Sequence, residues 1–188
     1  ICTIVFFIFT QDIRENKIND MANITTFISE QLYLHVKEMD QISYGVLANA
    51  YVRQSLLYLS GYDYNSVNML MYLTAYDMIT DSIFTISQPF PDIDRVNVFT
   101  DNNIFFSSKR FDNTSEIIRN RLLLRKKPQE IATDEYSKFL LVPPHKNEWV
   151  ENSDELVFSL QRIVQSSHGP IGIIEVQKKY NIIADICN

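Results

Sequence analysis

Trp149 is the single tryptophan of the chain and stands among Glu148, Glu151 and Asp154. An indole edged by carboxylates makes a wall for a cationic group, because ring face and negative charge attract the same partner. The other reading of Trp149 is an anchor that pins its loop to a neighbouring sheet. Arg95 and Arg162 each lie in a stretch that reads as β-strand. An arginine projecting from a strand offers a planar fork that grips a carboxylate through two parallel hydrogen bonds, unless it sits on an open surface. Glu175 shares a strand face with Ile173, as the buried partner of an arginine or as an edge residue. Tyr136 and Tyr180 either line a pocket or pack. Trp149, Arg95, Arg162, Tyr136 and Asp154 form the candidate ligand-binding set. His35 lies in a helical stripe, where it is either a pH-responsive interface residue or a tolerated polar position.

Other chemistries find no support. Catalysis requires a nucleophile with its base, a metal cluster or paired carboxylates, and no Gly-x-Ser-x-Gly, His-Glu-x-x-His or phosphate-loop motif occurs. No catalytic residue and no cofactor are therefore expected. The 2 cysteines stand at opposite ends, Cys2 and Cys187, and the 3 histidines are scattered, which leaves no metal-ligand spacing. A net charge of −6 argues against nucleic acid, whose binding requires a basic surface.

The elements that must position these residues follow from periodicity. Residues 1–10 are almost wholly apolar and uncharged, and Gln11-Asp-Ile-Arg-Glu-Asn16 follows them. The block reads as the cut tail of a transmembrane helix with its polar exit, or as a buried first turn or strand. From Gln11 to Ser60 there is no proline. Ile18, Met21, Thr25, Ile28, Leu32, His35, Met39, Ile42, Val46 and Asn49 recur at alternating steps of three and four. That spacing predicts one stalk helix over residues 11–60, on the order of 70 Å long, able to pair with a second copy and stopped at Ser60-Gly61.

A second helix is predicted from about Ser66 to Ile86, capped by Asn65 or Ser66 and ended by Pro89 and Pro91. Arg95–Thr100 and Ile104–Ser108 read as a hairpin around Asp101-Asn-Asn103. Thr114–Lys127 reads as a helix, and 128–152 as the least regular stretch. Glu155–Ile163 and Ile171–Val176 read as a second hairpin around Ser166-Ser-His-Gly-Pro170, and Tyr180–Cys187 as a closing helix. The order predicts an α+β fold, an antiparallel sheet with helices on one face.

This element order, with Asp94-Arg-Val-Asn-Val-Phe-Thr-Asp-Asn-Asn103, Phe158-Ser-Leu-Gln-Arg162 and Gly172-Ile-Ile-Glu-Val-Gln-Lys-Lys-Tyr180, resembles the extracellular Cache sensor domains of Firmicutes-type receptors, mostly sensor histidine kinases. The resemblance covers most of the chain by element order and about 25 residues by sequence. It implies a PAS-like, five-stranded antiparallel Cache sheet over residues 61–188, either the membrane-distal module of a double Cache domain or a single-module version. It further implies a small-molecule ligand and a membrane-anchored receptor with a cytoplasmic output. The family's amino-acid signature, an arginine closely followed by Trp-Tyr, is missing, since Asn147-Glu148 precedes Trp149. The rival expectation is a dimerisation or protein-interaction module of the same fold that binds no small molecule.

Overall fold

The computed structural model describes residues 2–60, 68–100, 104–109, 139–150 and 153–186, with side chains from residue 14 onward. The helix expected over Thr114–Lys127, Tyr136 and Cys187 lie outside the described residues. Helix α1, Cys2–Ala48, runs for 47 residues, about 70 Å at the usual rise. Among the described residues, no helix is long and apolar enough to cross a membrane.

The stalk is not continuous to Ser60. Asn49 interrupts it, and its side-chain oxygen accepts from the backbone N–H groups of Tyr51 (2.9 Å) and Val52 (3.2 Å). Those are orphan donors of a new helix, so Asn49 acts as the N-cap of α2, Ala50–Ser60. Helix α3, Met69–Ser87, is capped by Asn68, whose side chain accepts from the Leu70 N–H, while the expected caps Asn65 and Ser66 lie outside the described residues. Its buried stripe is Ala75, Ile79 and Ile83, while Leu70 and Met71 stand exposed.

Strands β1 (Ile93–Thr100), β2 (Phe105–Ser107), β3 (Leu140–Lys146), β4 (Leu156–Ser166) and β5 (Gly169–Lys179) form one antiparallel sheet in the order β2-β1-β5-β4-β3. A short helix α4, Asn181–Ile186, closes the described chain. The fold is the expected one: α+β, a PAS-like sheet with a long N-terminal helix packed across one face. Strand β3 occupies part of the stretch that reads as irregular, and it holds Pro143 and Pro144. It is an edge strand whose register slips between Val142 and His145, so the two missing N–H groups interrupt no central ladder.

Alternation divides the central strands between two faces. Val96, Val98, Phe158, Leu160, Val164, Ile174 and Val176 pack against Met39, Ile42 and Val46 of α1, Val52, Leu56 and Leu59 of α2, and the α3 stripe. This helix-covered face is the main core. Gly172 sets the spacing of β5 against β1, since a Cβ there would lie 2.7 Å from the Phe99 carbonyl oxygen.

Two cations cross from this face to α1. Arg162 donates from Nε to Ser43 Oγ at 2.9 Å and pairs through Nη2 with Asp40. Its guanidinium also lies 5.7 Å from the Phe139 ring centroid. Lys178 is fully buried and donates from Nζ to His35 Nδ1 (2.9 Å) and Glu38 Oε2 (2.5 Å). Both anchors sit on neighbouring central strands, so the long helix is tied to the middle of the sheet.

Candidate ligand-binding face of the sheet

The opposite face is built from the alternate positions of the same strands, which register aligns into three cross-strand rows. The first is apolar: Phe105, Phe99, Ile173 and Ile163 stand side by side on β2, β1, β5 and β4. The second is polar: Ser107, Asn97, Glu175 and Gln161. The third holds Arg95, Gln177 and Ser159 on β1, β5 and β4, with His145 of β3 reaching in beside them.

Most of these polar side chains are withdrawn from solvent. Asn97, Glu175, Gln177 and Ser159 are fully buried, and Arg95 retains only 5% exposure. Burial of polar groups is costly unless hydrogen bonds replace water, and the middle row is organised around one carboxylate. Glu175 Oε2 accepts from Asn97 Nδ2 (2.9 Å) and Trp149 Nε1 (3.0 Å), and Oε1 accepts from Gln161 Nε2 (3.0 Å). Ser107 Oγ donates to Asn97 Oδ1 at 2.8 Å and orients that amide. In the third row, Gln177 Nε2 donates to Ser159 Oγ at 3.3 Å, and Ser159 Oγ lies 3.3 Å from His145 Nε2. His145 Nδ1 lies 2.8 Å from the Pro143 carbonyl oxygen, so a proton on Nδ1 leaves Nε2 free to accept from Ser159.

Trp149 lies in the β3–β4 connection, which turns at Asn147, where Oδ1 accepts from the Trp149 N–H (3.2 Å). The connection folds back over the sheet, and the indole stacks on Phe105 with centroids 4.6 Å apart while reaching Glu175. Two buried polar atoms of this region, Asn147 Nδ2 and Gln177 Oε1, have no hydrogen-bond partner among the described residues. One is a donor and the other an acceptor.

The candidate residues therefore separate. Trp149 and Arg95 stand on this face, and Glu175 joins them at its centre. Arg162 does not: it lies on the helix side, one position out of phase with Gln161. Asp154 is exposed and pairs with Lys146 at 2.7 Å, a contact that lowers the carboxyl pKa and raises that of the amine. Among the described residues, the Trp149 indole N–H is bound by Glu175, and Glu151 of the acidic group around Trp149 lies outside the described residues. Asn97, Ser107, Gln161, Gln177, Ser159 and Asn147 were not singled out from sequence. Their signal is a polar residue at every second position of otherwise apolar strands, a pattern that ordinarily marks a solvated face. Separately, an open groove of about 730 Å³ lies beside the helix break, lined by Tyr44, Leu47, Arg53, Leu57, Ile163 and Gln165, and shares none of the polar cluster.

No protein-family model and no curated protein sequence matches the chain. Among solved structures it is similar to the ligand-binding domain of the Pseudomonas aeruginosa PAO1 amino acid chemoreceptor PctB in complex with L-Gln. That match has 12% identity and a TM-score of 0.45, and covers 80% of this chain and 57% of that one. It is also similar to the ligand-binding domain of the Campylobacter jejuni chemoreceptor Tlp3 in complex with L-valine, with 10% identity, a TM-score of 0.45, and coverage of 87% and 65%. The chain thus spans 57% and 65% of the lengths of these two chains.

Proposed function

We propose that this chain is the extracellular ligand-sensing domain of a membrane-anchored signalling receptor, with a two-component sensor histidine kinase as its output, and that it performs no catalysis itself. The observation that carries the proposal is the buried polar face around Glu175, set against a long helix anchored to the reverse side of the same strands. A core built only for stability gains little from a buried carboxylate, amide rows and two unpartnered polar atoms, because each such group costs desolvation. A binding face gains selectivity from them. Arg95 and Glu175 stand in adjacent rows and offer opposite charges to a small polar molecule that carries both, such as a free amino acid, the ligand class named for PctB. The long helix then carries a shift of the sheet toward the membrane.

The test is thermal denaturation of the protein against a panel of amino acids, small carboxylates and sugars. A ligand at about 100 times its Kd adds about 2.7 kcal/mol, a rise of roughly 5–10 °C for a domain of this size. The same compound should lose its effect on Arg95→Ala. A panel that leaves Tm unmoved throughout removes the sensing reading.

The second reading, a dimerisation module that binds no small molecule, is favoured by a different observation. Ile18, Met21, Ile24 and Phe27 of α1 are all more than half exposed, and Trp149 already covers part of the polar face. Sedimentation of the wild type beside Ile24→Glu separates the readings. A dimer that the substitution splits, with no ligand response, supports the second.

A further inference from the structure

The joint between α1 and β5 contains a titratable acceptor that the ligand face does not use. Lys178 Nζ is fully buried, and its two partners among the described residues are both on α1: His35 Nδ1 at 2.9 Å and Glu38 Oε2 at 2.5 Å. An ammonium has three donors and no acceptor, so His35 can satisfy it only as a neutral imidazole with Nδ1 bare and the proton on Nε2. His35 Nδ1 also lies 3.9 Å from the same Glu38 oxygen.

We propose that His35 is a proton-binding switch, and that its protonation releases helix α1 from strand β5. One proton adds to Nδ1, which becomes a donor and turns to Glu38. It thereby takes the carboxylate that Lys178 was using while ceasing to accept from Lys178 itself. A buried ammonium then loses one acceptor, shares the other and gains a positive neighbour. It can restore its solvation only by moving toward water, which means parting the helix from the sheet. The charged groups facing His35 are Lys178 of β5, Glu38 of its own helix and Asp92 of the turn before β1.

Burial first, and then the Lys178 charge, hold the His35 pKa below its ordinary 6.5, against the opposing pull of Glu38 and Asp92. The unfolded chain therefore takes up this proton before the folded one. The clasp contributes its full stability above about pH 6.5 and loses it as pH falls through the lower folded value. The site is separate from the polar face and responds to acid whether or not that face binds a ligand.

The experiment follows the imidazole signals of the 3 histidines by NMR, with His35 assigned by its loss in His35→Gln, and follows Tm from about pH 7.5 to 5. His35 should titrate below 6.5 in the wild type and at a higher pH than the wild type in Lys178→Met, where the competing charge is gone and only burial still lowers it. The wild type should lose roughly 2–4 °C more than His35→Gln across the range, because glutamine keeps an acceptor that does not titrate. Amide exchange over residues 35–43 should quicken with acid relative to β4 only in the wild type. A His35 midpoint unmoved by Lys178→Met, or a His35→Gln profile that keeps the whole acid loss, overturns the proposal. The second result decides the matter even if Lys178→Met does not fold.

Discussion

Glu175 offers the sharpest test of the polar face, because one substitution removes its acceptor oxygens and another, of the same size as glutamate, removes only the charge. Glu175→Ala takes away the acceptor of Asn97 Nδ2, Trp149 Nε1 and Gln161 Nε2 together. Each buried donor left without an acceptor costs about 1–3 kcal/mol. Some relief comes from local rearrangement, so the expected loss is about 3–6 kcal/mol, against the 5–15 kcal/mol that holds a typical domain. Glu175→Gln should behave otherwise. Its amide oxygen, placed where Oε2 now lies, still accepts from Asn97 and Trp149. Its amide nitrogen then meets Gln161, which can turn over and present its own oxygen. All three bonds survive in neutral form, at a cost of about 1 kcal/mol.

Urea denaturation followed in parallel by far-ultraviolet dichroism and by tryptophan emission measures both losses. The single tryptophan reports on this one contact, since its indole N–H is bound to the residue being changed. In Glu175→Ala the emission of the folded protein should also shift, and in Glu175→Gln it should stay close to the wild type. If the glutamine variant is as unstable as the alanine variant, the negative charge matters for a reason other than these three bonds. If alanine costs less than about 1 kcal/mol, the cluster is not organised around Glu175.

Three further outcomes follow from contacts elsewhere. Arg162→Met should cost only about 1–2 kcal/mol in denaturant melts, because Asp40 is 39% exposed and can rehydrate, and Ser43 keeps its bond to the Asp40 carbonyl. Gly172→Ala should cost about 1–3 kcal/mol by the same measure, since the new Cβ meets backbone at 2.7 Å and no side chain can swing aside. Asn49→Ala should cost about 0.5–2 kcal/mol through the lost cap of α2, with dichroism distinguishing a frayed α2 from fusion of α1 and α2 into one rod.

How much of this was readable beforehand differs by element. The hairpins were legible because Arg95-Val-Asn-Val-Phe and Gly172-Ile-Ile-Glu-Val carry β-branched residues with period two. Strand β3 was hidden because Pro143-Pro144 argues against any strand, and only its place at the edge makes the prolines harmless. The break at Asn49 was hidden for a different reason. Asparagine there fits both the heptad stripe and the start of a new helix, and periodicity alone cannot choose between a seam residue and a cap. Among site residues, Trp149 announced itself by being single, and Glu175 by sharing a face with Ile173. Arg95 and Arg162 looked alike in sequence yet lie on opposite faces, because which strand face meets α1 is set by tertiary packing. Lys178 gave no signal at all: a lysine near a strand end is ordinarily solvated, and only the arrival of His35 and Glu38 from 140 or more positions away makes its burial tolerable.

Strand β5 joins the two halves of the molecule. Ile173, Glu175 and Gln177 face the polar side, and Ile174, Val176 and Lys178 face the helices, so groups that would meet a ligand alternate with groups that meet α1. Lys178 stands three residues from Glu175, about 10 Å along an extended strand. Five antiparallel strands resist shear, and a shift of Glu175 cannot be absorbed between these positions without breaking the ladder to β1 or β4. The joint that can yield is the one between sheet and helix, where Arg162 and Lys178 hold α1 through partly exposed carboxylates. Under the proposed function, a ligand moves α1 only if it binds the anchored and released arrangements with different affinity. Protonation of His35 meets that requirement in its own right, since the protonated ring and the buried ammonium are incompatible in one arrangement and not in the other. Ligand and acid would thus act from opposite faces of one strand on the same helix.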